Sequence, residues 1–554
     1  MRLIPVRAWA LVVTSALLQV ASFPIAGPLP AWRAALSWFA LVPFLLALLE
    51  PARDEKPLRL RDSFMLGYLC GILWYIGNCY WIYQTMHIYG GLPEPVAFAI
   101  LILFSLYLGL YHALFATIVS LLRSSDLGVK GALWLSPFAW VAVELARARI
   151  TFFPWDLLGY SQVDNFLLTS LAPFAGVMAI SFVVAAVNAM FAGLIARNSR
   201  KTIAGVFAIV AIVQIFGGVR AHLITQAPRR NAAVMMQENI AVGASGRDAK
   251  PLTLADEIAQ FSGDSMLPKR FLGNSFGIDG MAVAGNGVWT AGGIGTAPTV
   301  IVWPEAPSHL LSNDPFFRAS IAQLAKSTNA PAIIGSLGVD RSTVPQRGYY
   351  LYDSASLFDA TGNYVSRYDK IHLVPWGEYI PFKQFFSFAD KLTEGVGDMD
   401  RGHERSVFST GGHAYGVFVC YESIFGDEVR QFVKNGAEVL VNISDDGWYG
   451  DSGAPWQHLN MARMRAIENH RWVLRDTNTG ITTAIDPNGG MEAQAPRHVR
   501  GAYAFPFDFE PASNQTFYTR HGDWFAWLCA IVTVCALGLC LRPRLNLFLS
   551  MKSV

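Results

Sequence analysis

The sequence predicts an α-helical membrane bundle of about eight spans joined to one α/β domain. Two observations carry this. Of 554 residues, 53% are apolar and only 15% charged, against about 25% charged in an ordinary soluble chain. The apolar residues are also gathered into long runs near both ends, with a polar block of mixed strand-like and helix-like patterns between them. A net charge of +2 argues neither for a nucleic-acid partner nor for a polybasic tail.

Seven apolar segments precede residue 220, at about 9–25, 34–49, 64–82, 96–122, 132–145, 167–195 and 203–219, and an eighth lies at 524–541. Most reach the ~17–25 residues that a tilted helix needs to cross a bilayer. The fifth is short and ends in Glu144 and Arg147. Arg2 and Arg7 precede the first run as in a signal peptide, but the Pro-rich stretch 23–30 lacks a small-x-small cleavage site, so it reads as an uncleaved anchor. The expected units are therefore 1–220 with seven spans, 228–514 as the α/β domain, and 523–542 as a last span.

Basic residues in loops set orientation. Arg2, Arg7, Arg53, Lys56, Arg59, Arg61, Arg123, Lys130, Arg197, Arg200, Lys201, Arg542, Arg544 and Lys552 fall in one alternating set of segments. The other set of short loops holds only Arg33, Arg147 and Arg149. Both termini are expected in the cytoplasm and the polar block on the far side.

Strand-like runs recur in that block at 232–236, 299–303, 332–335, 354–358, 416–419, 439–443 and 481–485, with helical patterns at 316–327 and 455–469. This alternation predicts a layered sheet with helices outside. The Gly- and Ala-rich stretch 241–298 has weak periodicity and reads as a long loop.

Five of the six cysteines lie in apolar runs; Cys420 alone lies in the polar block, at the end of a strand-like segment and before a helix-like one. A strand that stops at a nucleophile and turns into a helix exposes a reactive atom. No CxxC, HExxH or zinc-spaced Cys/His cluster occurs, so neither a disulfide framework nor a metal site is expected. Two further motifs end or follow strands: Trp303-Pro304-Glu305, and the run from Tyr368 through Lys370 and Glu378 to Pro381. A thiolate, a carboxylate and an ammonium make an acyl-transfer set. The thiolate attacks an ester or amide carbonyl and the carboxylate relays protons. The ammonium stabilises thiolate and oxyanion.

Glu305, Lys370 and Cys420, in WPE, DK-x-HLVPxGEYIP and CYE contexts, resemble the nitrilase superfamily. With the membrane runs around them, the chain resembles the bacterial apolipoprotein N-acyltransferases. The likeness continues through Asn442–Trp448, Pro455-Trp456-Gln457-His458, Met461–Glu468 and Asn478-Thr-Gly-Ile, and in the membrane half through Tyr80–Tyr83 and Pro154–Gln162. The resemblance implies a four-layer αββα sandwich, with Glu305 as base, Lys370 as stabilising cation and Cys420 as nucleophile. Glu378, Tyr421, Glu422 and Trp448 match pocket positions. It also implies a ping-pong reaction needing no cofactor. Cys420 takes an acyl chain from a membrane phospholipid as a thioester, then passes it to the α-amine of an S-diacylglyceryl-cysteine apolipoprotein. The implied setting is the bacterial inner membrane, as a monomer, with the catalytic domain periplasmic. One departure stands out: the family's Gln-Gly/Asn-Asn-Ile-Pro followed by a Trp is here Gln237-Glu238-Asn239-Ile240 with neither Pro nor a near Trp.

Several readings stay open at this level. Glu378 and Glu422 are either pocket acids or structural acids paired to an Arg. The aromatic stretch 379–392 is either an interfacial lid or domain core. Trp155 and Tyr160 read more readily as an interfacial belt than as substrate contacts. Arg147 and Arg149 either meet lipid phosphate or flank a span. A membrane-anchored amidase, with water as acceptor, is the competing activity, and a polytopic transporter or scaffold the third reading.

Overall fold

The structure is a computed structural model that describes residues 4–49, 58–196, 229–242, 298–308, 310–342, 348–379 and 398–551, with scattered single positions between 205 and 288. Eleven strands of the polar block build two sheets: β1 (Asn231–Gln237), β2 (Val300–Trp303), β3 (Ala332–Arg341), β4 (Tyr349–Phe358), β5 (Tyr364–Asp369), β6 (Val407–Thr410), β7 (His413–Val419), β8 (Val439–Ser444), β9 (Val473–Thr477), β10 (Thr483–Ile485) and β11 (Gly501–Phe507). The first sheet runs β11-β1-β2-β3-β4-β5 and the second β10-β9-β8-β7-β6. The centre of each is parallel: β1 with β2, β2 with β3, β7 with β8, and β8 with β9.

Period-two alternation explains the layering. In β1 and β2, Ala233, Met235, Val300 and Val302 point into the core shared with the second sheet. Their neighbours Val234, Met236, Ile301 and Trp303 point outward against Phe317, Ile321 and Leu324. Those three lie on one face of the helix Pro315–Thr328, which Asp314 caps by accepting from the N–H groups of Phe316 and Phe317. The far face of the second sheet is covered by Gly426–Lys434, through Val429, Phe432 and Val433, and by Ala454–Asn469. The order is helix, sheet, sheet, helix, as the αββα expectation required.

Among the described residues, five helices are long and apolar enough to cross a membrane: Ala31–Leu49, Glu94–Arg123, Gly128–Ile150, Val177–Ile195 and Trp524–Leu541. The eight expected segments fare differently. The run at 9–25 forms Val6–Ala21, of 16 residues. The run at 64–82 becomes Leu60–Asn78, whose start carries Arg61 and Asp62. The run at 167–195 breaks at Gly176, whose φ of +72° only glycine adopts freely. The weak fifth run is a full 23-residue helix, Gly128–Ile150, because its charges are partnered. Glu144 accepts from the Trp140 indole and the Leu158 amide, and Arg147 donates to the Tyr75 hydroxyl. The expected run at 203–219 and most of 241–298 lie outside the described residues, as do Phe382, Phe385, Phe386 and Phe388.

Ala454–Asn469 joins the two halves. Leu459, Ala462 and Ala466 face the sheet core, while Ala454, Met461, Met464 and Ile467 face the apolar bundle. Buried on all sides, it also pairs its polar groups across the junction: Gln457 accepts from the Trp155 indole and Arg465 donates to the Tyr160 hydroxyl. Trp155 and Tyr160 are thus fully buried under the catalytic domain. The interfacial-belt reading is overturned, because their polar tips find protein partners instead of headgroups.

Candidate active site

Glu305 follows β2, Lys370 follows β5 and Cys420 follows β7, so three distant stretches meet where the two sheets end. The carboxyl ends of parallel strands are where open α/β sheets place their ligands. Gly335 on β3 makes room for the Glu305 loop: a Cβ there would lie 2.2 Å from the Pro304 carbonyl oxygen.

Lys370 is fully buried, and its Nζ donates to Glu305 Oε1 (2.8 Å), Asp353 Oδ2 (2.9 Å) and Glu378 Oε1 (2.6 Å). The second oxygen of Glu305 accepts from the Asp445 amide (2.7 Å), and that of Glu378 from the Val374 amide (3.1 Å). Burial alone would lower the Lys370 pKa, but Asp353, Glu305 and Glu378 together raise it well above the ordinary ammonium value. Lys370 is therefore a fixed cation. The three carboxylates offer oxygens within 4.8 Å of one another, a spacing that suits a metal ion, but the ammonium takes the centre.

Cys420 sits at φ +47° in a tight turn, Cys420–Ile424. A left-handed non-glycine residue costs about 1–3 kcal/mol and persists where its surroundings over-determine it. Here His458 Nε2 donates to the Cys420 carbonyl (3.0 Å), while its Nδ1 lies 2.9 Å from Asp446 Oδ1. Asp446 also takes the Arg475 guanidinium (2.6 Å) and the Ser444 hydroxyl (2.9 Å), and Ser444 reaches the thiol. Burial would raise the Asp446 pKa, but Arg475 and His458 hold it well below the carboxylate range. The Cys420 thiol goes the other way: burial and the Glu305 charge push it well above its ordinary value, against Lys370. It rests as a thiol.

Glu422 forms a clamp. It accepts from the Tyr368 hydroxyl, from the Ile371 and His372 amides, and from the Val419 amide. These donors flank Lys370 on one side and Cys420 on the other. Tyr421 turns away, donating to the Phe152 carbonyl of the membrane half (3.0 Å). Trp448 is half-buried, and its carbonyl accepts from Thr85; its neighbour Tyr449 lies close enough to Cys420 that a thiolate there would act on it. Arg149 is held between Asp427 (2.8 Å) and Asp523 (2.6 Å), and Arg147 lies inside the bundle. At the departure, Glu238 is buried and accepts from the Trp303 indole.

The trio, Glu378 and Glu422 thus converge. Asp353, Ser444, Asp446, His458 and Arg475 are additions. Asp446 and His458 lie inside the stretches that carry the resemblance, while Asp353 has no signal beyond a charge in an apolar strand.

The cysteine, the glutamate and the buried lysine lie on a sandwich of the carbon-nitrogen hydrolase type: the family model described as carbon-nitrogen hydrolase matches residues 295–503. A second model, the apolipoprotein N-acyltransferase N-terminal domain, matches residues 15–190. An apolipoprotein N-acyltransferase of Geobacter metallireducens is 31% identical over 98% of this chain and 96% of its own. Another, of Ralstonia nicotianae, is 29% identical over 88% and 86%. Among solved structures, Saccharomyces cerevisiae Nit3, a nitrilase-superfamily member, aligns with a TM-score of 0.36 at 14% identity, covering 54% of this chain and 97% of its own. The chain belongs to the apolipoprotein N-acyltransferase family.

Proposed function

We propose that this protein is an N-acyltransferase that moves an acyl chain from a membrane phospholipid, through a thioester on Cys420, to the N-terminal amine of a diacylglyceryl apolipoprotein. The observation that carries this is the meeting of Cys420, Glu305 and the caged Lys370 on a domain whose helix Ala454–Asn469 is packed into an apolar bundle. A site joined to the bundle can receive substrates whose chains stay in lipid.

Glu305 takes the thiol proton as Sγ attacks the ester carbonyl. The Lys370 ammonium faces the developing oxyanion. The intermediate collapses with cleavage of the ester C–O bond, and Glu305 returns the proton to the leaving alcohol, a lysophospholipid. In the second half the amine attacks the thioester, Glu305 takes its proton, and Cys420 leaves and is reprotonated. Burial of the site limits competing hydrolysis. Glu378 holds Lys370, and Glu422, Tyr421 and Trp448 act by fixing the turn and its seat on the membrane half.

The basic-residue distribution supports both termini cytoplasmic and this site periplasmic; eight spans in the inner membrane and a monomer complete the reading. Family membership favours a lipid amine over water as acceptor. The test is product identity: purified protein given phospholipid and a diacylglyceryl lipopeptide should yield N-acylated lipopeptide and lysophospholipid. Free fatty acid as the sole acyl product would instead mean an amidase-like esterase.

A further inference from the structure

Of the three carboxyl groups around Lys370, two have both oxygens met by N–H donors. Glu305 has Lys370 and the Asp445 amide; Glu378 has Lys370 and the Val374 amide. In both, each oxygen has its donor. Asp353 differs. Its Oδ2 accepts from Lys370, but Oδ1 is buried with no donor among the described residues, and its carboxyl lies within hydrogen-bonding reach of the Glu305 carboxyl. A bare carboxylate oxygen facing another carboxylate is costly. A carboxylic acid in the same place is not, because it donates where the anion cannot. Three anions around one ammonium would also leave two uncompensated buried charges.

From this geometry we infer that Asp353 is protonated in the resting protein, donating from Oδ1 to Glu305, and that it acts as a positioning residue that keeps the Lys370 charge available to the reacting atoms. When the thiol ionises, its proton goes to Glu305 and Asp353 keeps its own. The charged and titratable groups around Asp353 are Lys370, Glu305 and Glu378, with Cys420 beyond Lys370 and Asp445 across the site. Burial, with Lys370 opposing and Glu305 adding, pushes Asp353 up to about 8. It therefore ionises in mild alkali, and the new charge then opposes the Cys420 thiolate.

The test is Asp353→Asn, which mimics the protonated acid. The inference concerns the site proposed above, but the test reads thiol alkylation by iodoacetamide, so it fails separately from the acyl-transfer reading. The full-length protein in detergent is alkylated from pH 6 to 10, and the Cys420 peptide is followed by mass spectrometry. At pH 6–7 variant and wild type should react within about twofold of each other. Above pH 9 the variant should be about tenfold faster, since a neighbouring like charge shifts a pKa by about one unit or more. A variant faster by the same factor at every pH would mean Asp353 is always ionised, and overturns the inference. So does a variant equal to wild type throughout. Should the variant fail to fold, wild type alone decides: its profile must show an inflection near pH 8 below that of the thiol, and a single inflection overturns the inference.

Discussion

A lysine with no exposure and three carboxylates within 2.9 Å has no freedom to act as a proton shuttle; its chemistry is a fixed charge. Removing one partner of a buried ionic cluster costs about 3–5 kcal/mol, so Lys370→Met should lower thermal stability as well as abolish acylation, read by calorimetry beside activity. Glu305→Gln keeps the shape and loses the base. It should cut the acylation rate by about 100-fold or more while leaving the fold intact, measured as lysophospholipid released. Glu305, Lys370 and Cys420 were legible in the sequence because each stands in a dense local motif. Asp353 was not: its role arises only when β4 lies beside the start of 370, where the Lys370 amide bonds the Asp353 carbonyl. Likewise, nothing local tells that Tyr421 looks toward Phe152 rather than into the pocket.

At the scale of elements, Glu422 ties the end of β7 to the stretch after β5. Glu422→Ala strands the Tyr368 hydroxyl and three amides, each buried donor costing about 1–3 kcal/mol. The expected outcome is a lower melting temperature together with slower Cys420 alkylation; unchanged values in both would contradict the clamp. Seven strands could be read from their apolar runs. Of those missed, β5, β6 and β9 are short or carry polar residues such as Arg367, Arg475 and Asp476, whose burial depends on tertiary partners, and β11 carries Gly501 and Pro506, which strands ordinarily disfavour. Helix Ala454–Asn469 was legible as a helix but not as a junction, because two opposite buried faces erase the usual amphipathic stripe.

For the whole molecule, buried acids set the pH response. Burial, with neighbouring acids, pushes Asp353 and Glu238 up to about 8 and Glu378 and Asp445 up to about 7. Unfolded carboxyls titrate near 4, so between these values the folded protein binds more protons than the unfolded chain. These groups stabilise fully below pH ~4, and that contribution is lost as pH rises through 7–8. Melting temperature should therefore fall between pH 5 and 9, and a rise over that window would contradict the assignment. The docking of the halves was only partly legible. Composition revealed an apolar bundle, yet Arg149, bound to Asp427 and Asp523, and the buried Trp155 and Tyr160 answer to partners hundreds of residues away. The span count is the least legible feature, because helices such as Leu60–Asn78 and Val6–Ala21 fall short in apolarity or length.

The central claim is that Cys420 carries the acyl group. Intact and peptide mass spectrometry of the purified protein, incubated with phospholipid and no acceptor beside Cys420→Ala, tests it directly. The account predicts a gain of one acyl chain on the Cys420 peptide and none in the variant. An adduct that survives in Cys420→Ala, or an unmodified Cys420 with no lysophospholipid released, would contradict it.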